Sequence, residues 1–319
     1  MVESKLVELV VAGSNPVGHP TLMQRIPPPQ KWLRPALSAK SRAGDAFIAN
    51  VRAAVEQINA NRPGAAAAGD PEYLHQLRVG MRRLRSTLRA CRALVRRKDA
   101  ARLDRRLREA LRAFGEARDW DVFEGSLGRS ALRRPASERG EAARRKARAI
   151  ARSGRFRFLS DETLAWARGR PWRVGSDAGQ PMEVFARGAL ERAHRRLLEA
   201  VERVDWNDAP RRHRVRILLK RLRYGCECFA AAWPDSAMAP FLTALRRLQE
   251  ILGDLNDIEV QRRLLAEIAG AGATLQVNAR LRKLGARERG LIAKLRRAWR
   301  AFAAVSPYWR VPEAAPVGG

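Results

Sequence analysis

The sequence has few cysteines and no long apolar run. Its 319 residues include only three cysteines, Cys91, Cys226 and Cys228, which are too few for a disulfide framework and form no CxxC metal-binding pair. No stretch of 18 consecutive apolar residues is present, which argues against a membrane-spanning helix. Glu3 and Glu8 interrupt the only early apolar run, which argues against a signal peptide. We therefore expect a soluble protein of the reducing cytoplasm that has no membrane partner.

Acidic residues are also scarce. The 33 Asp and Glu residues face 63 Lys and Arg residues, for a net charge of +30, and only eight of the basic residues are lysine. A GC-rich coding sequence favours arginine, but it does not explain the sign and size of the charge. A charge of this size repels itself unless a polyanion lies nearby. By charge alone, nucleic acid, an acidic membrane surface and inorganic polyphosphate are candidate partners, and because we expect no membrane partner we retain the first and the last.

A strand pattern is lacking as well, and the periodicity predicts an all-α protein. Six prolines between Pro16 and Pro35 make residues 1–39 a poorly ordered, Pro-rich leader. Apolar residues then recur at helical spacing through residues 40–305, where a Gly-rich joint over 174–181 separates a first repeat (40–175) from a second (176–305). Residues 306–319 are expected to form a loose tail.

The segment 75–96 predicts a helix with a cationic stripe about 30 Å long. An adjacent stripe of Leu77, Met81, Leu84 and Leu88 is suited to a core. We call the cationic stripe the first rail; it comprises His75, Arg78, Arg82, Arg85, Arg89, Arg92 and Arg96.

The same pattern returns 138 positions later in a second rail that comprises His213, Arg216, Lys220 and Arg223. Arg83 and Arg221 share that offset, and so do the pairs Asp119 with Asp257 and Asp121 with Glu259. A constant offset over nearly fifty positions predicts two similar four-helix bundles related by a pseudo-twofold axis. The two rails then line one basic central cleft, or else each rail is a solvated face of its own bundle.

The motifs HxxRVxxRRLR (from His75), GxxRDxDV (from Gly115), HxxRIxxKRLRY (from His213) and LGxLND (from Leu252) occur in order. In this order and spacing, the chain resembles the CHAD family, the histidine α-helical domain, over roughly residues 42–303. The resemblance implies two four-helix bundles with a basic surface that binds inorganic polyphosphate, and an association with polyphosphate granules.

Polyphosphate carries charge and oxygens but no bases, so only charge and hydrogen bonds can hold it, and arginine rows on rigid helices suit both needs. The two histidines either donate to phosphate or orient their helices. The predicted polyphosphate-binding residues are His75, Arg78, Arg82, Arg83, Arg85, Arg89, His213, Arg216, Lys220, Arg221 and Arg223.

Four acidic residues, Asp119, Asp121, Asp257 and Glu259, are predicted to pair with these arginines and hold them in place. The alternative for the four is a metal or acid–base set. No Walker loop, nucleophile elbow or HExxH motif occurs, so we expect a binding module rather than an enzyme, with no cofactor and no metal. A basic nucleic-acid-binding protein is the first alternative, although DNA binding is expected to be only nonspecific. An accessory to a triphosphatase or polyphosphatase is the second.

Overall fold

The computed structural model describes residues 26–38, 40–67, 69–269 and 274–310. These residues form helices joined by short connections, with one 3-10 turn at Ala230–Ala232 and two isolated bridges but no strand. The all-α prediction is confirmed. The helices are α1 (Ala43–Ala66), α2 (Pro71–Ala90), α3 (Arg97–Gly125), α4 (Arg133–Arg152), α5 (Gly154–Arg168), α6 (Met182–Glu202), α7 (Ala209–Cys228), α8 (Asp235–Ile268) and α9 (Thr274–Ala303).

The two helices that carry the rails begin in the same way. The side chain of Asp70 accepts a hydrogen bond from the backbone N–H of Glu72 at the start of α2. The side chain of Asp208 accepts one from the backbone N–H of Arg211 at the start of α7. A proline occupies the first turn of both helices, where its missing N–H costs nothing. These capped starts fix the register in which the basic residues follow.

Helix bounds repeat with the spacing of the sequence motifs. Helices α2 and α7 start 138 positions apart and have 20 residues each, and α3 and α8 also start 138 positions apart. Among the described residues, the first half has one helix more than the second, because Ser153 has an extended backbone and caps α5 through Phe156 N. Helix α9 runs without a break through the corresponding stretch. The pseudo-twofold axis itself stays a prediction.

A single hydrophobic core runs through both halves. The predicted apolar stripe of α2 is at its centre, since Leu77, Met81, Leu84 and Leu88 are at most 2 % exposed. Helix α1 packs on α2, α4 and α5, while α6 packs on α7 and α8 packs on α9. The halves meet where α2 packs against α7, and α3 also contacts α8. This contact brings the two rail helices together.

Part of the predicted leader is packed rather than loose. Residues 1–25 and 39 lie outside the described residues, but residues 26–38 lie along α1 and α2. Tyr73 donates to the carbonyl of Pro27 (2.8 Å), and Asn61 exchanges two hydrogen bonds with the backbone of Gln30. The prediction is wrong for this stretch because Asn61 of α1 and Tyr73 of α2 hold its backbone at Gln30 and Pro27.

The predicted loose tail is also wrong where the structure describes it. Residues 311–319 lie outside the described part, but Trp309 is only 2 % exposed. Its ring lies 4.9 Å from that of Phe241 and 5.7 Å from that of His194. Burial of three aromatic rings outweighs the cost of ordering these few residues. In the described ranges, no helix has an apolar stretch long enough to cross a bilayer.

Candidate functional site

The structure places basic residues from both rails around a single pocket of about 520 Å³ between α2 and α7. Arg82, Arg85 and Arg89 line it from α2, and Lys220 and Arg221 line it from α7. Its walls also include Ser86, Arg108, Ile217 and Tyr224. The pocket therefore has cations from both halves of the chain and no acidic lining residue.

Four basic residues in the middle of the two rails have no carboxylate partner. We call them the central cluster: Arg78, Arg82, Arg216 and Lys220. Among the described residues, none of the four has a carboxylate oxygen within 4.0 Å of its charged nitrogens. Two of them, Arg78 and Arg82, lie one helical turn apart on α2, and the other two have the same spacing on α7.

Four of the arginines that flank the central cluster share two carboxylates. Asp104 accepts from Arg85 (2.8 Å) and lies 3.2 Å from a guanidinium nitrogen of Arg89. Glu227 pairs with Arg83 across the two halves (2.5 Å) and with Arg223 one turn before it on α7 (3.4 Å). Among the described residues, the four members of the central cluster and Arg221 are thus the predicted Arg and Lys ligands that have no carboxylate within 4.0 Å.

Burial and mutual repulsion make these cations costly without an anion. Desolvation, followed by the charges of Arg216 and Arg82, lowers the pKa of Lys220 to about 6. Desolvation and Arg82 lower the pKa of Arg78 to about 9, and desolvation and Arg82 also lower that of Arg216. A bound polyanion would remove this repulsion and restore the charged form of Lys220.

The rails also carry hydrogen-bond donors that no protein acceptor satisfies. The Nε atoms of Arg78, Arg83, Arg216 and Arg223 are buried and have no hydrogen-bond partner within the described chain. Most buried polar groups in proteins are paired, so each of these Nε atoms has room for an acceptor that an ordered water or a ligand oxygen can supply; Arg78 and Arg216 are the two that belong to the central cluster. Anionic oxygens would satisfy both these N–H groups and the local charge.

The two histidines lie in different surroundings. His75 is half-buried, and desolvation together with Arg118, Arg78 and Arg82 lowers its pKa, although Glu72 raises it. His213 is exposed and lines a separate pocket of about 370 Å³ at the start of α7, which Arg216 also lines. The structure therefore puts each histidine at the outer end of its rail, away from the paired flanks.

The four predicted supporting acids do not pair with the predicted binding residues. Asp119 pairs with Arg263 of α8 (3.3 Å) and Asp121 with Arg144 of α4 (3.1 Å). Glu259 pairs with Arg262 (2.9 Å) and Arg212 (3.3 Å), while Asp257 is exposed and has no ion pair among the described residues. The prediction of direct pairing is wrong because Asp119 and Asp121 lie closer to arginines of α8 and α4, and Glu259 lies closer to Arg262 of its own helix and to Arg212 at the start of α7.

Two of these acids still act on the central cluster at longer range. The charge of Asp119 raises the pKa of Arg78, and that of Asp257 raises the pKa of Arg216, in each case against a larger effect of desolvation. The direct partners of the rails, Asp104 and Glu227, were not predicted from the sequence. Glu227 had a signal, since it follows Arg223 by four residues on the same helix.

Two further residues at the site were missed. Arg212 is 3 % exposed and is held by Glu288 (2.5 Å) and Glu259, so it fixes the start of α7 against α8 and α9. Trp32 lies under the guanidinium of Arg83, with 4.1 Å between the ring centroid and Cζ.

Within the described ranges, no group of three or more His, Cys, Asp or Glu residues is arranged to hold a metal ion.

Comparison with known proteins agrees with this architecture. The family described as "CHAD domain" matches residues 49–266, which is more than half of the chain and includes α2, α3, α7 and nearly all of α8. The chain belongs to the CHAD family. A crystal structure of the CHAD domain from the plant Ricinus communis is similar to it at 30% identity with a TM-score of 0.75, over 87% of this chain and 97% of that one.

A second solved structure shares the fold at lower identity. PptA from Streptomyces chartreusis has a TM-score of 0.61 and 17% identity, over 82% of this chain and 98% of its own. No curated protein sequence matches this chain significantly. The CHAD fold of this chain is thus supported by the family match, by the Ricinus communis domain and by the all-helical structure.

Proposed function

We propose that this CHAD protein binds inorganic polyphosphate at the central cluster. The observation that carries the proposal is the set of four basic residues, from two helices and both halves, that have no carboxylate partner among the described residues. Two of them, Arg82 and Lys220, line the pocket between α2 and α7, and Arg216 lines the pocket at the start of α7. Polyphosphate has one charge per phosphate and many oxygens, so it complements a row of guanidinium groups. The sequence resemblance to a polyphosphate-binding family supports the same ligand.

Binding at this site requires no chemical step. The groups that face the pocket are donors and cations, which hold an anion but provide neither a nucleophile nor a general base at neutral pH, apart from the Lys220 amine. We propose a non-enzymatic role in which the protein is recruited to, or organises, polyphosphate granules in the cytoplasm. Phosphate release on prolonged incubation with polyphosphate and Mg²⁺ would instead support a hydrolase or its accessory.

The test is a binding titration with long-chain polyphosphate at about 150 mM salt, where exposed charges separated by more than about 8 Å are largely screened. Wild type is compared with Arg82→Gln/Lys220→Gln and with a control, Arg134→Gln/Arg297→Gln, which removes two exposed basic groups that do not line the pocket. We expect the first variant to lose at least tenfold in affinity and the control to lose less than twofold. Equal losses in both variants would contradict the proposal.

Competition with duplex DNA distinguishes polyphosphate binding from the alternative, nucleic-acid binding. A protein with a charge of +30 binds DNA nonspecifically at low salt, with an affinity that falls steeply as salt rises. We expect DNA not to displace polyphosphate at 150 mM salt. Displacement at equal phosphate concentration would favour a nucleic-acid-binding protein. Granule recruitment is tested by imaging fluorescent fusions of wild type and Arg82→Gln/Lys220→Gln in cells that accumulate polyphosphate.

A further inference from the structure

A second pocket of about 220 Å³ lies beside the first, where α6 packs on the rail helices. Five arginines from three helices surround it: Arg89 and Arg92 from α2 and the turn after it, Arg192 and Arg196 from α6, and Arg221 from α7. Two of the five, Arg89 and Arg221, also line the first pocket. The two pockets are therefore parts of one continuous basic surface.

The second pocket has even less counter-charge than the first. Among the described residues, no carboxylate lies within 4.0 Å of the charged nitrogens of Arg92, Arg192, Arg196 or Arg221. The charge of Asp104 acts on Arg89 and Arg221, but Arg85, Arg89 and Arg108 already share this carboxylate. The arginines also repel one another, since desolvation and then Arg196 and Arg192 lower the pKa of Arg92. Such a cluster is stabilised when an anion binds.

The contact between α2 and α7 has two edges: the second pocket lies at one, and other residues cover the basic groups at the opposite one. Arg221 and Arg89 correspond, at the 138-residue offset, to Arg83 and Glu227. At that other edge, Glu227 neutralises Arg83, and Trp32 covers the Arg83 guanidinium. Of the two edges, only the one beside α6 keeps an arginine at both corresponding positions and has a pocket there.

We infer that this second pocket, which we call the α6 pocket, is a further binding site for the same linear polyphosphate chain. The inference rests on the proposed function: a chain held at the central cluster continues along α2 into the α6 pocket. Arg78 and Arg89 are separated by about 17 Å along α2, at 1.5 Å per residue, and Arg92 follows in the turn after this helix. Tripolyphosphate is far shorter than this span, whereas a long chain covers it.

The consequence is selectivity for chain length. A long chain held at the central cluster meets the α6 pocket at a high effective concentration, so the second contact raises affinity without a second bimolecular step. A short chain occupies one site at a time and gains nothing. The α6 pocket therefore makes the protein prefer long polyphosphate over tripolyphosphate by more than their difference in charge.

The test measures long-chain polyphosphate and tripolyphosphate binding to matched variants at about 150 mM salt. Arg192→Gln/Arg196→Gln removes the α6 contribution. Arg195→Gln/Arg203→Gln is the control, because it removes the same charge from exposed positions of the same helix region that do not line the pocket. We expect the first variant to bind long chains about tenfold more weakly and tripolyphosphate within twofold of wild type. We expect the control to bind both as wild type does.

The outcomes distinguish this inference from the proposed function. If wild type binds neither polyphosphate, the proposed function fails. If wild type binds both but Arg192→Gln/Arg196→Gln and the control Arg195→Gln/Arg203→Gln lose affinity for long chains by the same factor, the α6 pocket is not a binding site and the inference is overturned. It is also overturned if Arg192→Gln/Arg196→Gln weakens duplex DNA and leaves long polyphosphate unchanged, because the pocket would then serve a nucleic acid.

A direct readout comes from arginine modification with phenylglyoxal, followed by peptide mass spectrometry of the unmutated protein. Long-chain polyphosphate should protect Arg192 and Arg196, and tripolyphosphate should leave them reactive, while Arg195 reacts in every sample. Equal reactivity of Arg192 and Arg196 with and without long-chain polyphosphate would overturn the inference.

Discussion

Arg83 on α2 and Glu227 on α7 form an ion pair that joins the two rail helices, with 2.5 Å between Nη1 and Oε2. Both side chains are less than one quarter exposed, and Glu227 also pairs with Arg223. Two of the cations beside the central cluster therefore share one carboxylate. The pair holds the halves together and limits the charge of the site.

Glu227→Gln should lower stability and raise ligand affinity. The substitution keeps the shape of the side chain but leaves Arg83 and Arg223 without their carboxylate, so the free energy of unfolding should fall by about 2 kcal/mol. The two freed guanidinium groups should bind polyphosphate several-fold more tightly. Urea unfolding followed by circular dichroism measures the first effect, and titration the second. Glu199→Gln, whose only described partner is the exposed Arg195 at 3.8 Å, should change stability by less than about 0.5 kcal/mol.

Arg212→Met should destabilise the protein more than any change to an exposed arginine. The Arg212 side chain is 4% exposed and holds Glu288 and Glu259, so its removal leaves Glu288 with only Arg262. Loss of one partner from a buried network costs about 3–5 kcal/mol. Arg211→Met, one residue earlier and 57% exposed, should cost less than about 1 kcal/mol. Urea unfolding of the two variants provides the comparison, and equal midpoints would contradict the structural role of Arg212.

The rails could be predicted from the sequence because the position of a residue in an α-helix fixes the direction of its side chain around the helix axis. Residues at spacings of three and four share a face, so Leu77, Met81 and Leu84 could be placed in the core from their spacing alone. The caps at Asp70 and Asp208 have the same local character, since a capping aspartate and a following proline signal a helix start.

Contacts between segments that are far apart in the sequence could not be predicted from residue spacing. Glu259 was expected to support the rail arginines, but the helix contacts bring it to Arg212 of α7, which Glu288 of α9 also holds. Trp32 stacks on Arg83 only because α1 and α2 form the surface along which residues 26–38 run. Such partners depend on how helices cross, and a single sequence holds no local signal for a crossing.

Trp309→Ala tests the packed end of the described chain. Trp309 contacts the rings of Phe241 and His194, and its Nε1 donates to Glu191 (3.0 Å). Truncation of a buried tryptophan to alanine costs about 3–5 kcal/mol, so the thermal midpoint should fall by several degrees. Arg310→Gln is the control, because it removes only a half-exposed ion pair with Glu191 and should cost less than about 1 kcal/mol. A Trp309→Ala protein as stable as this control would show that the segment adds nothing to the core.

Lys220 should make both stability and binding depend on pH. Burial and the facing cations, Arg78 and Arg82 of α2 and Arg216 and Arg223 of α7, lower its pKa from 10.5 to about 6 in the folded protein. Between these values the unfolded chain binds more protons than the folded one, so the stability of the unliganded protein should rise with pH across this window. Lys220→Met should remove this part of the slope and should be more stable than wild type near pH 7. An unchanged slope would contradict the lowered pKa.

Binding should show the opposite dependence on pH. The Lys220 amine is mostly neutral at pH 7.5, and a polyanion favours its charged form, so binding takes up a proton. Affinity for polyphosphate should therefore rise as pH falls from 8 towards 6 and level off below 6, apart from a further contribution of His75, whose pKa is also lowered. Calorimetry in two buffers with different heats of ionisation measures the uptake directly. Lys220→Arg keeps its charge over this whole pH range, so this variant should bind polyphosphate more tightly than wild type at pH 8 and should take up fewer protons on binding. Equal proton uptake by the two proteins would assign the proton to another group.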